Sequence, residues 1–378
     1  MHLPHFHYAL NRELTQLYAS IALRDFTLGI IAIFVPIYIF RYFTGDISKT
    51  LLFFGTVALF HGALSPLAGK IITKIGIKHS MLASVPFIFL YYLGLWQIEA
   101  LGDFFFVLIP ILVIHNILYW PAFHVDFSRF SDEKNRGKQL SYRHLVAALS
   151  ASVAPLAGGI ILMKFGYPAL FAIVLVLLFV SIFPLFFSKE ARETYTDSFE
   201  KAYREVFKKK YRNKSVALFA EGAEGVASLI IWPIFLYILA INYSSIGAIS
   251  SVSLFAGLLF ALYMGRLIDR MGHGRFLALG AWLNALTWPV KMFVRTPFDA
   301  FLVHALHQFT RLSAYMPFST LFYDWTARED QDRDRFVIFR EMMHNIGSGI
   351  CMVVLAGIFL YVENIAIAFP IAGVSSLF

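Results

Sequence analysis

The sequence predicts an all-α membrane protein, with twelve transmembrane helices in two pseudo-symmetric six-helix bundles. Three observations predict it. Of 378 residues, 58% are hydrophobic and 15% charged, with a mean hydropathy of +0.67, which is too little charge to cover a soluble chain of this length. Apolar runs of roughly 20 residues, enough to cross a bilayer as helices, follow one another with short polar breaks. Residues of the first half recur in the second at a nearly constant offset of 196–198: Pro36/Pro233, Gly69/Gly265, Gly76/Gly272, Tyr119/Tyr315, Pro121/Pro317, Arg143/Arg340 and Asp126/Asp324. A parallel repeat of this kind relates the halves by an axis along the membrane normal and puts a site near the midplane between them.

Residues 1–13 form a short tail with His2, His5 and His7, too few ligands for a metal site on their own. Spans are expected at about 14–41, 50–69, 79–98, 103–126, 140–163 and 167–187, making an N-terminal bundle over 1–187. A charged connector, 188–214, follows. The C-terminal bundle, 215–378, holds spans at about 215–241, 244–265, 275–293, 298–323, 336–361 and 365–378. Within the connector, Asp197 and Glu200 read as a capping-box variant opening an amphipathic helix over about 198–210. Its apolar stripe (Phe199, Ala202, Tyr203, Val206) and the following Lys208, Lys209 and Lys210 are expected to lie on the inner membrane surface against acidic headgroups.

Of the 32 Lys and Arg residues, 25 fall on the connector side, five on the other (Arg41, Lys49, Lys164, Lys291, Arg295), and Arg24 and Arg311 within spans. Positive charge collects on cytoplasmic loops, so the connector and both termini are expected in the cytoplasm, with the chain multi-pass in the inner (plasma) membrane. The net charge of +8 belongs to those loops and gives no nucleic-acid-binding face. The single cysteine, Cys351, lies in an apolar span, which excludes an intrachain disulfide. The sequence holds no nucleotide-binding loop, no G-x-S-x-G and no H-E-x-x-H, so an enzyme or an ATP-driven pump is not expected, nor a cofactor or metal.

Between spans eight and nine lies Gly265-Arg266-Leu267-Ile268-Asp269-Arg270-Met271-Gly272-His273-Gly274-Arg275. Its counterpart, Gly69-Lys70-Ile71-Ile72-Thr73-Lys74-Ile75-Gly76-Ile77-Lys78-His79, joins spans two and three, with Thr73 in place of the acid. Helices turn this tightly only where glycine allows positive φ or close backbone approach. The G-x-x-x-D-R-x-G-x-x-R arrangement resembles the loop between helices two and three of the major facilitator superfamily, repeated in that family's second half. The resemblance implies twelve helices around a central cavity, alternating access, and gating contacts from these loops. By pseudo-symmetry, Asp269 is expected near the start of span five, where Arg143 lies, and Thr73 near the start of span eleven, where Arg340 lies. Span five also carries Ala154-Pro155-Leu156-Ala157-Gly158-Gly159, which resembles the span-five motif of the family's drug/proton antiporters, with Ala154 where that pattern has glycine.

Ionisable groups inside spans are costly and mark function by default. Arg24, Asp25 and Tyr38 stand in span one, and Glu221, Glu224 and Trp232 in span seven. Span four offers His115, Asn116 and Tyr119. Span ten offers His304, His307, Gln308 and Arg311 on one helical face, with Tyr315 beyond. Buried carboxylates can load and release protons, so Asp25, Glu221 and Glu224 are the coupling candidates, and the imidazoles are candidates for substrate binding or proton shuttling. A static ion pair or a packed histidine is the alternative for each.

These readings converge on a secondary transporter that moves a small organic molecule by alternating access, in proton-coupled export. Proton-coupled uptake of a polar nutrient is the alternative, and a non-transporting sensor on the same scaffold a third. The expected partners are the substrate, protons and the lipid bilayer, with no nucleic acid, and the chain is expected to be a monomer.

Overall fold

Proline and glycine decide where the long apolar helices break. The computed structural model describes residues 12–129, 136–186, 195, 197–328 and 333–378, and among these there are helices and no strands. Span one divides into α1 (Arg12–Ile31) and α2 (Phe34–Tyr42). Spans two to four are α3 (Ile47–Ile75), α4 (Ile77–Trp96) and, after the short α5 (Ile98–Leu101), α6 (Leu108–Arg129). Spans five and six lie in α7 (Arg136–Phe186), separated at Gly166, whose φ of 76° is not helical. The connector supplies α8 (Phe199–Val206). Span seven divides into α9 (Arg212–Val226) and α10 (Trp232–Ile238) across a π-helical turn at Ala227–Ile231. Spans eight to twelve are α11 (Tyr243–Met271), α12 (His273–Val290), α13 (Pro297–Arg328), α14 (Arg333–Phe359) and α15 (Ala368–Ser375).

The paired prolines act alike. Pro36 and Pro233 lack the N–H that would bond the carbonyl four residues back, and each of their spans is interrupted just before them. The paired glycines also act alike: Gly76 (φ 92°) and Gly272 (φ 80°) each cap one helix and begin the next. Eight segments of the described residues are long and apolar enough to cross a membrane. One of them, Ser152–Phe183, takes in parts of both spans five and six. Spans nine, ten and twelve are absent from the eight; span ten is diluted by its polar face and α15 is only 8 residues long.

The two halves meet along α3 against α14 and α7 against α11. At the second seam, Gly159 sits where a β-carbon would come within 3.1 Å of Ser244 Cα, and Gly247 where one would come within 3.1 Å of Leu156 Cα. Small residues permit this approach between membrane helices, and the Leu156 N–H donates to Ser251 Oγ at 2.9 Å across the seam. On the side away from the connector, Arg41 Nη1 donates to the Tyr243 hydroxyl at 3.0 Å. Phe40 meets Tyr237 edge-on there, and Ser48 Oγ donates to the Ala356 carbonyl at 3.0 Å. Contacts between the halves therefore close that side.

The connector departs from expectation. Its helix is capped by Ser198, whose hydroxyl accepts from the Lys201 N–H, rather than by Asp197. It packs on protein instead of lying against headgroups: Ala202 and Glu205 are buried, and Tyr203 donates to the Ala63 carbonyl at 2.5 Å. Burial holds the Tyr203 phenol above the ordinary tyrosine range. Asp197, nearly fully buried, instead forms an ion pair with Arg335 of α14, Oδ2 to Nε at 2.9 Å, while Arg335 Nη2 reaches Glu205 at 2.5 Å. Lys201 and Lys208 pair with the same two acids from the exposed side. Arg335→Ala is expected to cost about 1.5–3 kcal/mol, because two buried carboxylates keep only solvent-facing partners. Thermal unfolding in detergent checks this, and Arg335→Lys should recover part of the loss.

Candidate functional site

Three buried polar clusters stand out among the described residues. The largest crosses from one half to the other. On α14, Arg340, Glu341, His344, Asn345 and Ser348 share a face through three- and four-residue spacings. Glu341, 4% exposed, accepts from Arg340 Nη1 at 3.0 Å and from Asn345 Nδ2 at 3.3 Å. Two imidazoles of the first half approach the same carboxylate, His61 of α3 and His124 of α6, each with Nε2 3.6 Å away. Arg340 Nη1 also lies 3.2 Å from His124 Nε2. Guanidinium only donates, so that nitrogen accepts and His124 is the neutral Nδ1–H tautomer in this arrangement. Glu221 of α9 completes the cluster, 3.6 Å from Arg340 Nη2 and 3.4 Å from His344 Nδ1. Ser348 donates to the Gly222 carbonyl at 2.8 Å and ties α14 to α9.

The second cluster lies within the first half. Arg24 is buried with Cζ 3.3 Å from the Tyr119 ring centroid, and its Nη2 is 3.1 Å from His115 Nε2. His115 Nδ1 faces the Ser84 carbonyl at 2.9 Å. A carbonyl only accepts, so Nδ1 carries the hydrogen and Nε2 receives the arginine. Both ring nitrogens are engaged, which fixes the orientation of the His115 ring.

The third cluster lies within the second half. Glu224 accepts from Asn284 Nδ2 at 2.8 Å and from Trp288 Nε1 at 3.2 Å. Lys291, counted above with the outer loops, is fully buried instead. Its Nζ sits 4.4 Å from the Trp232 ring centroid and 4.1 Å from that of Trp288. Trp232 stacks on His304, and Trp288 meets His307 with centroids 4.3 Å apart. Lys291 Nζ, His304 Nδ1 and both ring nitrogens of His307 have no hydrogen-bond partner among the described residues. Burying an ammonium costs several kcal/mol, and each desolvated indole face returns about 2 kcal/mol. Gln308 Nε2 is 3.5 Å from His304 Nε2.

A cavity of about 710 Å³ opens beside the third cluster, within the size range of small-molecule sites. It runs from Lys210 and Lys214 at the connector side inward to Glu221, Glu224, Asn284 and Arg311, with Tyr315 on its wall. All its lining residues come from position 210 onward, so this space belongs to the second half rather than to the midplane between halves expected from the repeat.

The sequence-level candidates are thus divided. Glu221, Glu224, Arg311 and Tyr315 line the cavity, and Arg340 and Glu221 join the cluster between halves. Arg24, His115 and Tyr119 form a separate set, as do Trp232, His304, His307 and Gln308. Asp25 and Asn116 are half-buried, and Tyr38 is engaged elsewhere, donating to the Leu95 carbonyl at 3.0 Å and packing on Tyr167 and Phe171. The Thr73 hydroxyl accepts from the Tyr195 N–H at 2.8 Å, and Gly69 makes room for the Tyr195 ring, while Ile72 and Ile77 on either side pack with Val337 at the start of α14. The first loop therefore holds the connector. Arg270 is exposed. The pairing of Asp269 with Arg143, and the side of Gly265, lie outside the residues whose side chains are described. Pro155, Gly158 and Gly159 serve helix packing against α1 and α11.

Asn284, Trp288 and Lys291 were not singled out from the sequence. Their spacings of four and three residues put a polar group, an indole and an ammonium on one face of α12 and the turn after it, a signal that the loop-side counting of Lys291 concealed.

Comparison with known proteins agrees with the fold. The profile of the Major Facilitator Superfamily matches residues 17–220 and again 215–378. Among solved structures, the E. coli fucose:proton symporter FucP superposes with a TM-score of 0.65 at 14% identity, over 96% of this chain and 95% of that one. A second FucP structure, described as a major facilitator superfamily transporter in the outward conformation, gives the same values. Among curated proteins, none matches. With the profile covering both halves and the twelve-helix architecture in place, the chain belongs to the major facilitator superfamily and is a multi-pass membrane transporter, not an enzyme.

Proposed function

We propose that the chain is a proton-coupled secondary transporter of a small polar organic molecule. The observation that carries this reading is Glu341, a buried carboxylate of the second half that contacts His61 and His124 of the first. Rocking the halves apart separates the carboxylate from both imidazoles. Its environment then changes between conformations, and that is the condition for proton affinity to be linked to access. Glu221 takes part through Arg340. Glu224 lies away from this seam, and Glu341 becomes the leading coupling candidate ahead of Asp25, Glu221 and Glu224.

The mixed charges of Glu221, Arg311 and Lys214 around the cavity suit a polar, hydrogen-bonding substrate. On direction, the Pro155–Gly159 stretch favours export, and the name of the similarly folded symporter favours uptake. We place the connector and both termini on the cytoplasmic side, from the distribution of Lys and Arg, in the inner or plasma membrane, with the chain acting as a monomer built of bundles 1–187 and 215–378 joined by 188–214.

The test uses proteoliposomes loaded with a pH-sensitive dye. Panels of sugars, carboxylates and amine-bearing compounds are first screened by thermal stabilisation, because a ligand that binds the folded form raises its unfolding temperature. A stabilising compound is then added outside. If the dye reports substrate-dependent proton movement, its sign separates symport from antiport. Substrate flux without proton movement removes the coupling, and binding without flux leaves a sensor.

A further inference from the structure

We propose that Lys291 is a proton-binding group within the second half, switching between ammonium and amine while enclosed by the faces of Trp232 and Trp288. The inference does not rest on the transport reading above, since proton binding is measured without substrate.

The geometry leads to it in three steps. Lys291 is fully buried, and its Nζ has no hydrogen-bond partner among the described residues. An ammonium carries three donors, so a permanently charged lysine here lacks the acceptors that buried charges elsewhere in the fold possess. Arg24 through Nη2 and Arg340 through Nη1, for comparison, each reach at least one acceptor. A permanently neutral lysine, however, leaves no role for two indole faces placed 4.4 and 4.1 Å from the nitrogen, an arrangement that specifically stabilises a cation. The site supports the charge without neutralising it, and both states are accessible.

Other charged and titratable groups bear on Lys291 from the packed elements. Span seven brings Glu224, which reaches the site through its hydrogen bond from Trp288 Nε1. Span ten brings His304, stacked on Trp232, and His307, against Trp288, with Arg311 one turn further along. Span twelve brings Phe369 against both indoles and no ionisable side chain. Trp288 thus links the lysine on its ring face to the carboxylate on its N–H. Gain or loss of the Lys291 proton should change the strength of that hydrogen bond and so be felt at Glu224, on the cavity wall.

The two indoles also report the event. The full chain is reconstituted in lipid nanodiscs, and tryptophan emission is recorded from about pH 5 to about pH 10.5. The wild-type protein is expected to show a titration step. Lys291→Met should hold emission at one limiting level and Lys291→Arg, always charged, at the other, each losing at least about nine-tenths of the step. If Lys291→Met fails to fold, the arginine variant decides alone. His304→Gln, His307→Gln and Glu224→Gln should shift the midpoint and keep the step. A flat wild-type curve, or a step that survives in Lys291→Arg, overturns the proposal. So does a step abolished by any of the three neighbouring substitutions while Lys291 is intact.

Discussion

Glu341→Ala is expected to lower stability by about 3 kcal/mol and to abolish proton-linked transport. Removing one member of a buried ion cluster leaves the others without compensation, at a cost of 3–5 kcal/mol where no partner remains. Here Arg340 keeps Glu221 at 3.6 Å, which places the loss at the lower end of that range. Asn345 loses an acceptor, and His61 and His124 lose the carboxylate that lies 3.6 Å from their Nε2 atoms. Glu341→Gln separates fold from function. The amide oxygen still accepts from Arg340 or Asn345, so stability should fall by only about 1–2 kcal/mol, but an amide cannot take up a proton. The glutamine variant should therefore bind a stabilising compound and exchange it across the membrane without responding to a pH gradient. Glu341→Asp should retain a response. Undiminished gradient-driven flux in the glutamine variant would remove Glu341 from the mechanism and return the search to Glu221.

The same carboxylate shows where sequence reading stops. The repeat, the prolines and the loop glycines specify local backbone behaviour, and local rules are what a sequence carries: Pro36 and Pro233 break their spans and Gly76 and Gly272 turn theirs, as chemistry requires of those residues alone. The contact between Glu341 and His61 joins helices separated by 280 positions, and its existence depends on which faces the two bundles present to each other. The charge pattern gave a partial clue. Arg24 and Glu221 stand 197 apart, His115 and Arg311 196 apart, and Tyr119 and Tyr315 196 apart, so the repeat keeps an aromatic residue and exchanges the charges beside it. In the first half the result is a closed set in which His115 has no nitrogen to spare. In the second half, Glu221 is left to engage Arg340 and His344 and is drawn toward the seam. Lys291 was illegible for another reason. Its position at the end of an apolar run suggested a loop, and only the turn at Lys291–Phe293 directs it inward.

Gly158→Ala should be the most damaging single-methyl change in the first half. A β-carbon there comes within 2.9 Å of both the Ile30 carbonyl carbon and Phe34 Cε2, and closer still to the Ile30 oxygen. The obstacle is backbone, so no rotamer change relieves it, and α1 must separate from α7. Overpacking of this kind costs about 3 kcal/mol at the upper end of its usual range. A control at Gly357, where an added β-carbon meets nothing within 4 Å, should gain about 0.5–1 kcal/mol from helix propensity. Equal unfolding temperatures for the two variants would refute the packing argument. The neighbouring Gly159 faces α11 across the seam between halves, not α1 within one half. Gly159→Ala should accordingly affect the balance between conformations as well as the fold, slowing transport by more than its loss of stability explains. Measured together, the two adjacent glycines distinguish the contact that holds one bundle together from the contact on which the bundles must move.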